Sequence, residues 1–207
     1  MARIGILGGS FNPPHLAHLV CASEAAAHLD LDRVLFTPVA TPPHKDAERD
    51  PGPRERLELC RLAIAGDERL GVCDLEVIRG GPSYTVDTLR ELHARTPEDH
   101  LTFIVGGDIA LGMPSWREPE AVLGLARLAV AERSGAGRND VAALLAENFP
   151  DAPPPLFFDM PRVDISSSMV RERCASGRPI RYLVPRKVAD HVEAMGLYGA
   201  STPVSAE

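Results

Sequence analysis

Short apolar runs that end in glycine alternate along this chain with stretches of helical period. The run Arg3-Ile4-Gly5-Ile6-Leu7, followed at once by Gly8 and Gly9, predicts a buried strand. Leu16, Leu19, Val20 and Ala27 then fall on one helix face, which predicts a helix over residues 15–28. A second strand is expected over 33–37. Residues 38–53 are rich in proline and charge and carry no period, so they read as a long loop. A loop of that length within a compact domain is either functional or mobile. Further on, the pattern predicts helices over 54–65, 85–94, 119–125 and 141–148, and strands over 70–78, 101–105, 127–131 and 156–159. A helix over 166–176 is stopped by Gly177, and a last helix over 185–195 closes the pattern.

Strands that alternate with helices in this way predict an α/β fold, a parallel sheet with helices on both faces. No repeat or low-complexity block divides the sequence. The expectation is one domain over 1–198, with a helical C-terminal part over about 166–198 and a flexible tail over 199–207. In such sheets ligands bind outside the carboxyl ends of the strands, at the point where strand order reverses. The loops after Leu7, Thr37 and Val105 are therefore the first places to look for a site.

Composition narrows the partners. The 207 residues are 44% hydrophobic and 25% charged, which suits a globular core, and the net charge of −7 argues against nucleic acid. Cys21, Cys60, Cys73 and Cys174 form no CxxC pair and match no zinc or disulfide framework, so free thiols in a reducing compartment are expected. No cationic leader with an apolar core opens the chain, and its apolar runs are shorter than a membrane span. These features predict a cytoplasmic protein without a membrane partner, and leave a homo-oligomer open.

The chemistry concentrates after the first strand, in Gly8-Gly9-Ser10-Phe11-Asn12-Pro13-Pro14-His15-Leu16-Ala17-His18. Glycines without side chains let the backbone approach an anion, and a helix beginning near His15 turns unpaired N–H groups and its positive dipole end to the same spot. His15 and His18 stand three apart, on one face of the first turn. The loop lacks the glycine spacing of a dinucleotide fingerprint and the Gly-Lys-Ser/Thr ending of a P-loop. Two histidines one turn apart also suit zinc, but no third ligand lies near in sequence.

This run resembles the GxFxPxHxGH signature of the nucleotidyltransferase superfamily with the HIGH-type motif, and its Phe11-Asn12-Pro13 triplet is most similar to bacterial nicotinate mononucleotide adenylyltransferases. Ala17 departs from the pattern, which has glycine there. Ile165-Ser166-Ser167-Ser168-Met169-Val170-Arg171 resembles the second signature of the family, ISST-x-[IV]-R. On its own that segment would read as a capped helix with a surface arginine. Ser83-Tyr84-Thr85-Val86-Asp87-Thr88-Leu89 and Met113-Pro114-Ser115-Trp116-Arg117 are similar to segments of the nicotinate enzymes, and residues 180–185 and 196–198 to their C-terminal ending.

The resemblance implies a Rossmann-like doubly wound fold and adenylyl transfer from ATP to nicotinate mononucleotide. It implies that His15, His18, Lys45 and Arg171 act on the phosphates. ATP is assigned to Gly8, Gly9, Ser10, Phe11, Gly106, Asp108, Ile165, Ser166 and Ser167. Nicotinate mononucleotide is assigned to Asn12, His44, Tyr84, Thr85, Trp116, Arg117 and Arg133. Several readings stay open: His44 and Lys45 as a solvated loop, Asp108 as a helix N-cap, and Arg133 as a surface charge. Mg²⁺ is expected to arrive with ATP rather than in a protein cage. A different acceptor, nicotinamide mononucleotide, a flavin or phosphopantetheine, would use much of the same machinery. A nucleotide sensor that binds without transfer is the reading from another class.

Overall fold

The structure is a computed structural model that describes residues 1–41, 49–132 and 137–200. His44, Lys45 and Arg133 lie outside the described residues, as does the tail expected over 199–207 from residue 201 onward. The chain opens with strand β1 (Arg3–Gly9), helix α1 (Leu16–His28) and strand β2 (Arg33–Pro38). Helix α2 (Pro53–Ile64) leads to the short strand β3 (Leu70–Val72) and helix α3 (Leu75–Arg79). Helix α4 (Thr85–Arg95) precedes strand β4 (His100–Gly106), helix α5 (Gly107–Leu111) and a 3-10 turn over Met113–Ser115. Helix α6 (Pro119–Leu125), strand β5 (Arg127–Glu132), helix α7 (Arg138–Asn148) and strand β6 (Leu156–Asp159) follow. Helices α8 (Ser167–Ala175) and α9 (Arg186–Ala194) and a 3-10 turn over Leu197–Gly199 close the chain.

Among the described residues the sheet has six strands, all parallel, in the order β3-β2-β1-β4-β5-β6. Side chains alternate across it as the strand period requires. Phe103, Val105, Leu128 and Val130 join Val86 and Leu89 of α4, Val122 of α6 and Val141 of α7 in one core. Their neighbours Ile104 and Ala129 turn to the opposite face and join Ala22, Ala25 and Ala26 of α1 in another. Each of these large side chains contributes about 1.5–3 kcal/mol by leaving water, so helices on both faces are the stable arrangement for strands apolar on both sides. A third core, with Leu59 of α2, Val170 of α8 and Val188 of α9, seats the C-terminal helices beside α2. The Glu55 carboxylate and the His191 ring meet at 2.5 Å across the α2–α9 contact.

Two readings of the sequence are corrected. The strand expected over 70–78 ends at Val72, and α3 takes up the rest. Leu75 and Glu76 are buried while Ile78 is 72% exposed, which a helical turn allows and a covered strand would not. Gly80, at φ 68, stops that helix in the left-handed region. The stretch after Gly106, where Asp108 reads as an open candidate for a helix N-cap, forms α5 and the 3-10 turn. Gly106 stands at the cap of α5, and Asp108 lies in its first turn rather than at the N-cap.

Strand order reverses at β1. Its loop feeds α1 and β2 on one side, while β4 sits on the other. The carboxyl ends of β1, β2 and β4 are side by side, with Gly9 opposite Pro38 and Leu7 opposite Ile104. Whatever binds there meets the loops that follow Gly9, Pro38 and Gly106.

Candidate functional site

The loop from Ser10 to His15 leaves β1 and turns directly into α1. Phe11 is 1% exposed and adopts φ 48, a backbone region costly for a large side chain. Its ring packs against Phe36 at 5.2 Å and edge-on against His18 at 5.0 Å, so apolar burial holds the turn in place. His15 is the N-cap of α1, one residue outside the helix, and its backbone N–H donates to Nδ1 of His18 at 3.2 Å. The two imidazoles stack with centroids 3.8 Å apart. The expected pairing of both rings on one turn is therefore present, and the Phe11 ring holds the His18 ring from the side. Ala17 is buried between them in sequence, so the Cβ that replaces glycine's hydrogen is accommodated inside the first turn.

The N-terminus of α8 meets the same loop. Ser166 caps α8 by accepting from the Met169 N–H at 3.1 Å. Ser167 Oγ donates to the Pro13 carbonyl at 2.8 Å, and Arg171 Nη1 donates to the Asn12 carbonyl at 2.8 Å. Arg171 Nη2 reaches Ser168 Oγ at 3.2 Å. Residues 159 positions apart in sequence are thus tied together, and the N-termini of α1 and α8 meet at the loop that follows Gly9. Leu16 N–H donates to the Leu183 carbonyl at 3.0 Å and adds the segment before α9 to the same assembly. Ile165 packs at the edge of the third core. Asn12 is 5% exposed, and among the described residues its Oδ1 accepts no hydrogen bond.

Across the reversal point, Gly8 faces the Phe103 ring, which would lie 3.5 Å from a Cβ added there. Trp116 packs edge-on against Phe103 at 5.8 Å and is half-buried. Tyr84 stands at the N-cap of α4, beside Thr85, with the Arg117 guanidinium 4.7 Å above its ring. Arg117 also approaches Asp87 at 3.6 Å. Tyr84 and Trp116 both pack on the first core, so the two segments read separately in the sequence share one side of the sheet. A Cβ at Gly106 would come within 2.8 Å of Asp108 Oδ1, so a side chain there would turn that carboxylate aside. That carboxylate is exposed at the carboxyl end of β4.

Several participants escape a sequence reading. Arg56, at 0% exposure, spans the loops after β1 and β2. Its one legible signal is its place three before Leu59 and four before Cys60, on the buried face of α2. Ser83 Oγ accepts from the Ala40 N–H at 2.9 Å and couples the loop after β2 to the start of α4. Glu76 is buried and accepts from Thr88 Oγ1 at 2.7 Å. Burial pushes its carboxyl above the usual range, against the pull of its hydrogen bonds and of Arg79. Burial first, and then the Asp50 charge, raise the Tyr198 phenol. Burial likewise raises the thiols of Cys60, Cys73 and Cys174, which leaves them unreactive.

Among the described residues no three His, Cys, Asp or Glu side chains gather into a metal site. No helix among them is long and apolar enough to cross a membrane. The loop and helix ends instead suit a polyphosphate, which needs N–H donors and cations rather than carboxylates.

Comparison with known proteins points the same way. The cytidylyltransferase-like family model matches residues 6–173. A probable nicotinate-nucleotide adenylyltransferase of Shouchella clausii is 42% identical over 199 residues, covering 96% of this chain and 98% of that protein. One from a Roseiflexus species is 46% identical over 198 residues, covering 95% and 98%. Among solved structures, the nicotinic acid mononucleotide adenylyltransferase of Plasmodium falciparum complexed with NaAD shares the fold. Its TM-score is 0.77 at 18% identity, over 97% of this chain and 99% of that one.

Proposed function

The chain belongs to the cytidylyltransferase-like family and, within it, to the nicotinate-nucleotide adenylyltransferases, and from that premise we propose how its site transfers the adenylyl group of ATP to nicotinate mononucleotide. The products are nicotinate adenine dinucleotide and pyrophosphate, and the reaction is a step of NAD biosynthesis. One observation carries the assignment to this site: Ser167 and Arg171 of α8 hydrogen-bond to the Ser10–His15 loop that leads into the N-terminus of α1. Backbone approach, two positive helix ends and two imidazoles come together at this strand end.

The attacking group is a phosphate monoester whose second pKa is about 6, so it is already mostly ionised and needs no base. One of its oxygens forms a bond to the α-phosphorus of ATP as the bond to the bridging oxygen breaks, and pyrophosphate leaves with that electron pair. Catalysis is then positioning and charge stabilisation. His15 and His18 hold the phosphates from the first turn of α1, and the side chains of Lys45 and Arg171 steady the departing pyrophosphate. Arg171 has donors committed to Asn12 and Ser168, so it shapes the loop as well as carrying charge. Gly8, Gly9, Ser10 and Phe11 let ATP approach β1, Gly106 and Asp108 meet its ribose, and Ile165, Ser166 and Ser167 close the opposite wall. Asn12, His44, Tyr84, Thr85, Trp116, Arg117 and Arg133 form the acceptor side, where an indole plane suits a pyridine ring. Mg²⁺ enters as part of the ATP substrate, since the described residues offer it no cage.

The test is stoichiometric. Purified protein given MgATP and nicotinate mononucleotide should release one pyrophosphate for each dinucleotide formed, resolved by chromatography. Release of orthophosphate, or ATP binding with no product, would remove the assignment.

A further inference from the structure

Arg56 is a charged side chain with no exposed surface, and each of its three guanidinium nitrogens donates a hydrogen bond. Nε donates to Asp50 Oδ1, Nη1 to the Ser10 carbonyl and Nη2 to the Ala40 carbonyl, each at 2.9 Å. Asp50 also accepts from the Gly52 N–H at 2.9 Å, which fixes the carboxylate at the start of α2. Burying such a pair rarely stabilises a fold more than apolar side chains of the same volume would. What a planar fork does supply is geometry, because three acceptors are held at fixed directions from one rigid group.

The two carbonyls belong to the two loops that a reaction at this sheet edge must keep in register. Ser10 follows β1 in the phosphate loop, and Ala40 follows β2. From Ala40 the connection continues, since its N–H donates to Ser83 Oγ at 2.9 Å and the Ser83 N–H donates to the Thr41 carbonyl at 3.3 Å. Ser83 immediately precedes Tyr84, the N-cap of the helix that begins the acceptor side. One buried guanidinium therefore stands between the ATP loop and the acceptor pocket.

We propose that Arg56 is a positioning residue for adenylyl transfer: it touches neither substrate, and it sets the distance from the Ser10 loop to the Ala40–Ser83 segment so that the acceptor phosphate meets the α-phosphate in line. This rests on the adenylyl-transfer reading above. Lysine retains the charge opposite Asp50 but not the fork, so it cannot hold both carbonyls in the same directions.

The test uses wild type, Arg56→Lys, Ser83→Ala and the double variant, each assayed by pyrophosphate release per folded molecule and by thermal unfolding. If wild type gives no dinucleotide, the functional reading fails. If wild type turns over, the variants decide the role of Arg56 alone. The expected result for Arg56→Lys is a loss of about 10–100-fold in kcat, the scale of a small misplacement of reacting groups, with KM for both substrates within about threefold. Ser83→Ala should also lower kcat, and the double variant should be little worse than Arg56→Lys, because both cut one connection. A wild-type kcat with a lowered Tm, a loss confined to KM, or independent multiplication of the two effects overturns the proposal. If Arg56→Lys does not fold, Asp50→Asn replaces it with the same expected kcat loss. Failure of both to fold makes the role structural and also overturns it.

Discussion

The site depends on a few side chains whose neighbours leave them little freedom. His18 is stacked on His15 at 3.8 Å and met edge-on by Phe11 at 5.0 Å, so its ring direction is set before any ligand arrives. Preorganised donors of this kind lower a barrier because they need no reorganisation when charge develops. His18→Ala is therefore expected to lower kcat by ~10²-fold or more while the protein remains folded, measured by pyrophosphate release. Near-normal turnover in that variant would remove His18 from the mechanism. Tyr198 makes the opposite case. Its hydroxyl is buried, and among the described residues it has no hydrogen-bond partner. Removing an unpaired buried hydroxyl lifts its desolvation cost, so Tyr198→Phe should raise the urea unfolding free energy, by up to about 1–3 kcal/mol. A loss of stability would show that the hydroxyl is bonded in solution. The two histidines were legible from spacing, since three residues make one turn. Arg56 was not, because a buried arginine and a surface arginine look alike in a sequence until their acceptors, here two loop carbonyls, are in view.

At the scale of elements, α1 carries the unusual Ala17. Alanine suits a helix better than glycine by up to about 1 kcal/mol, and Ala17 is buried without displacing the stacked rings. Ala17→Gly should lower stability by that amount or less, read by denaturant unfolding, and an increase would show that the methyl is strained. The α3–α4 contact supplies a pH signature. Burial raises the Glu76 pKa above its ordinary value of 4.5, so the fold prefers the protonated acid. That contribution is fully present below about pH 4.5 and is lost as pH rises through the raised value. Glu76→Gln abolishes the loss, so its Tm relative to wild type should climb between pH 4 and pH 7. A constant difference across that range would contradict the assignment. The strands were readable because covered parallel strands are apolar on both faces, as Phe103-Ile104-Val105 is. Residues 70–78 misled because Leu70 and Val72 alternate as in a strand while Leu75 and Ile78 stand three apart as on a helix turn, and the exposure of Ile78 and the turn at Gly80 separate the two elements. Helix α5 was missed because it begins on a glycine and ends at Gly112, residues that normally punctuate.

The strand order β3-β2-β1-β4-β5-β6 reverses at β1, where the candidate site lies. Alternation of strand and helix was enough to expect this, and the glycines after Leu7 marked which strand end to choose. What no pattern contained was the closure of the site by distant chain. The hydrogen bonds from Ser167 to Pro13 and from Arg171 to Asn12 become visible only once α8 is seated against α2 and α9 by the third core. Trp116 and Tyr84 pack on the first core, and α8 holds the loop after β1, so the proposed acceptor selectivity belongs to the assembled molecule. An equimolar mixture of nicotinate mononucleotide and nicotinamide mononucleotide, limiting MgATP and purified protein tests this most directly. The account predicts that the dinucleotide formed is chiefly nicotinate adenine dinucleotide, with one pyrophosphate per adenylyl group transferred. Exclusive formation of the nicotinamide product, or no dinucleotide at all, would contradict it.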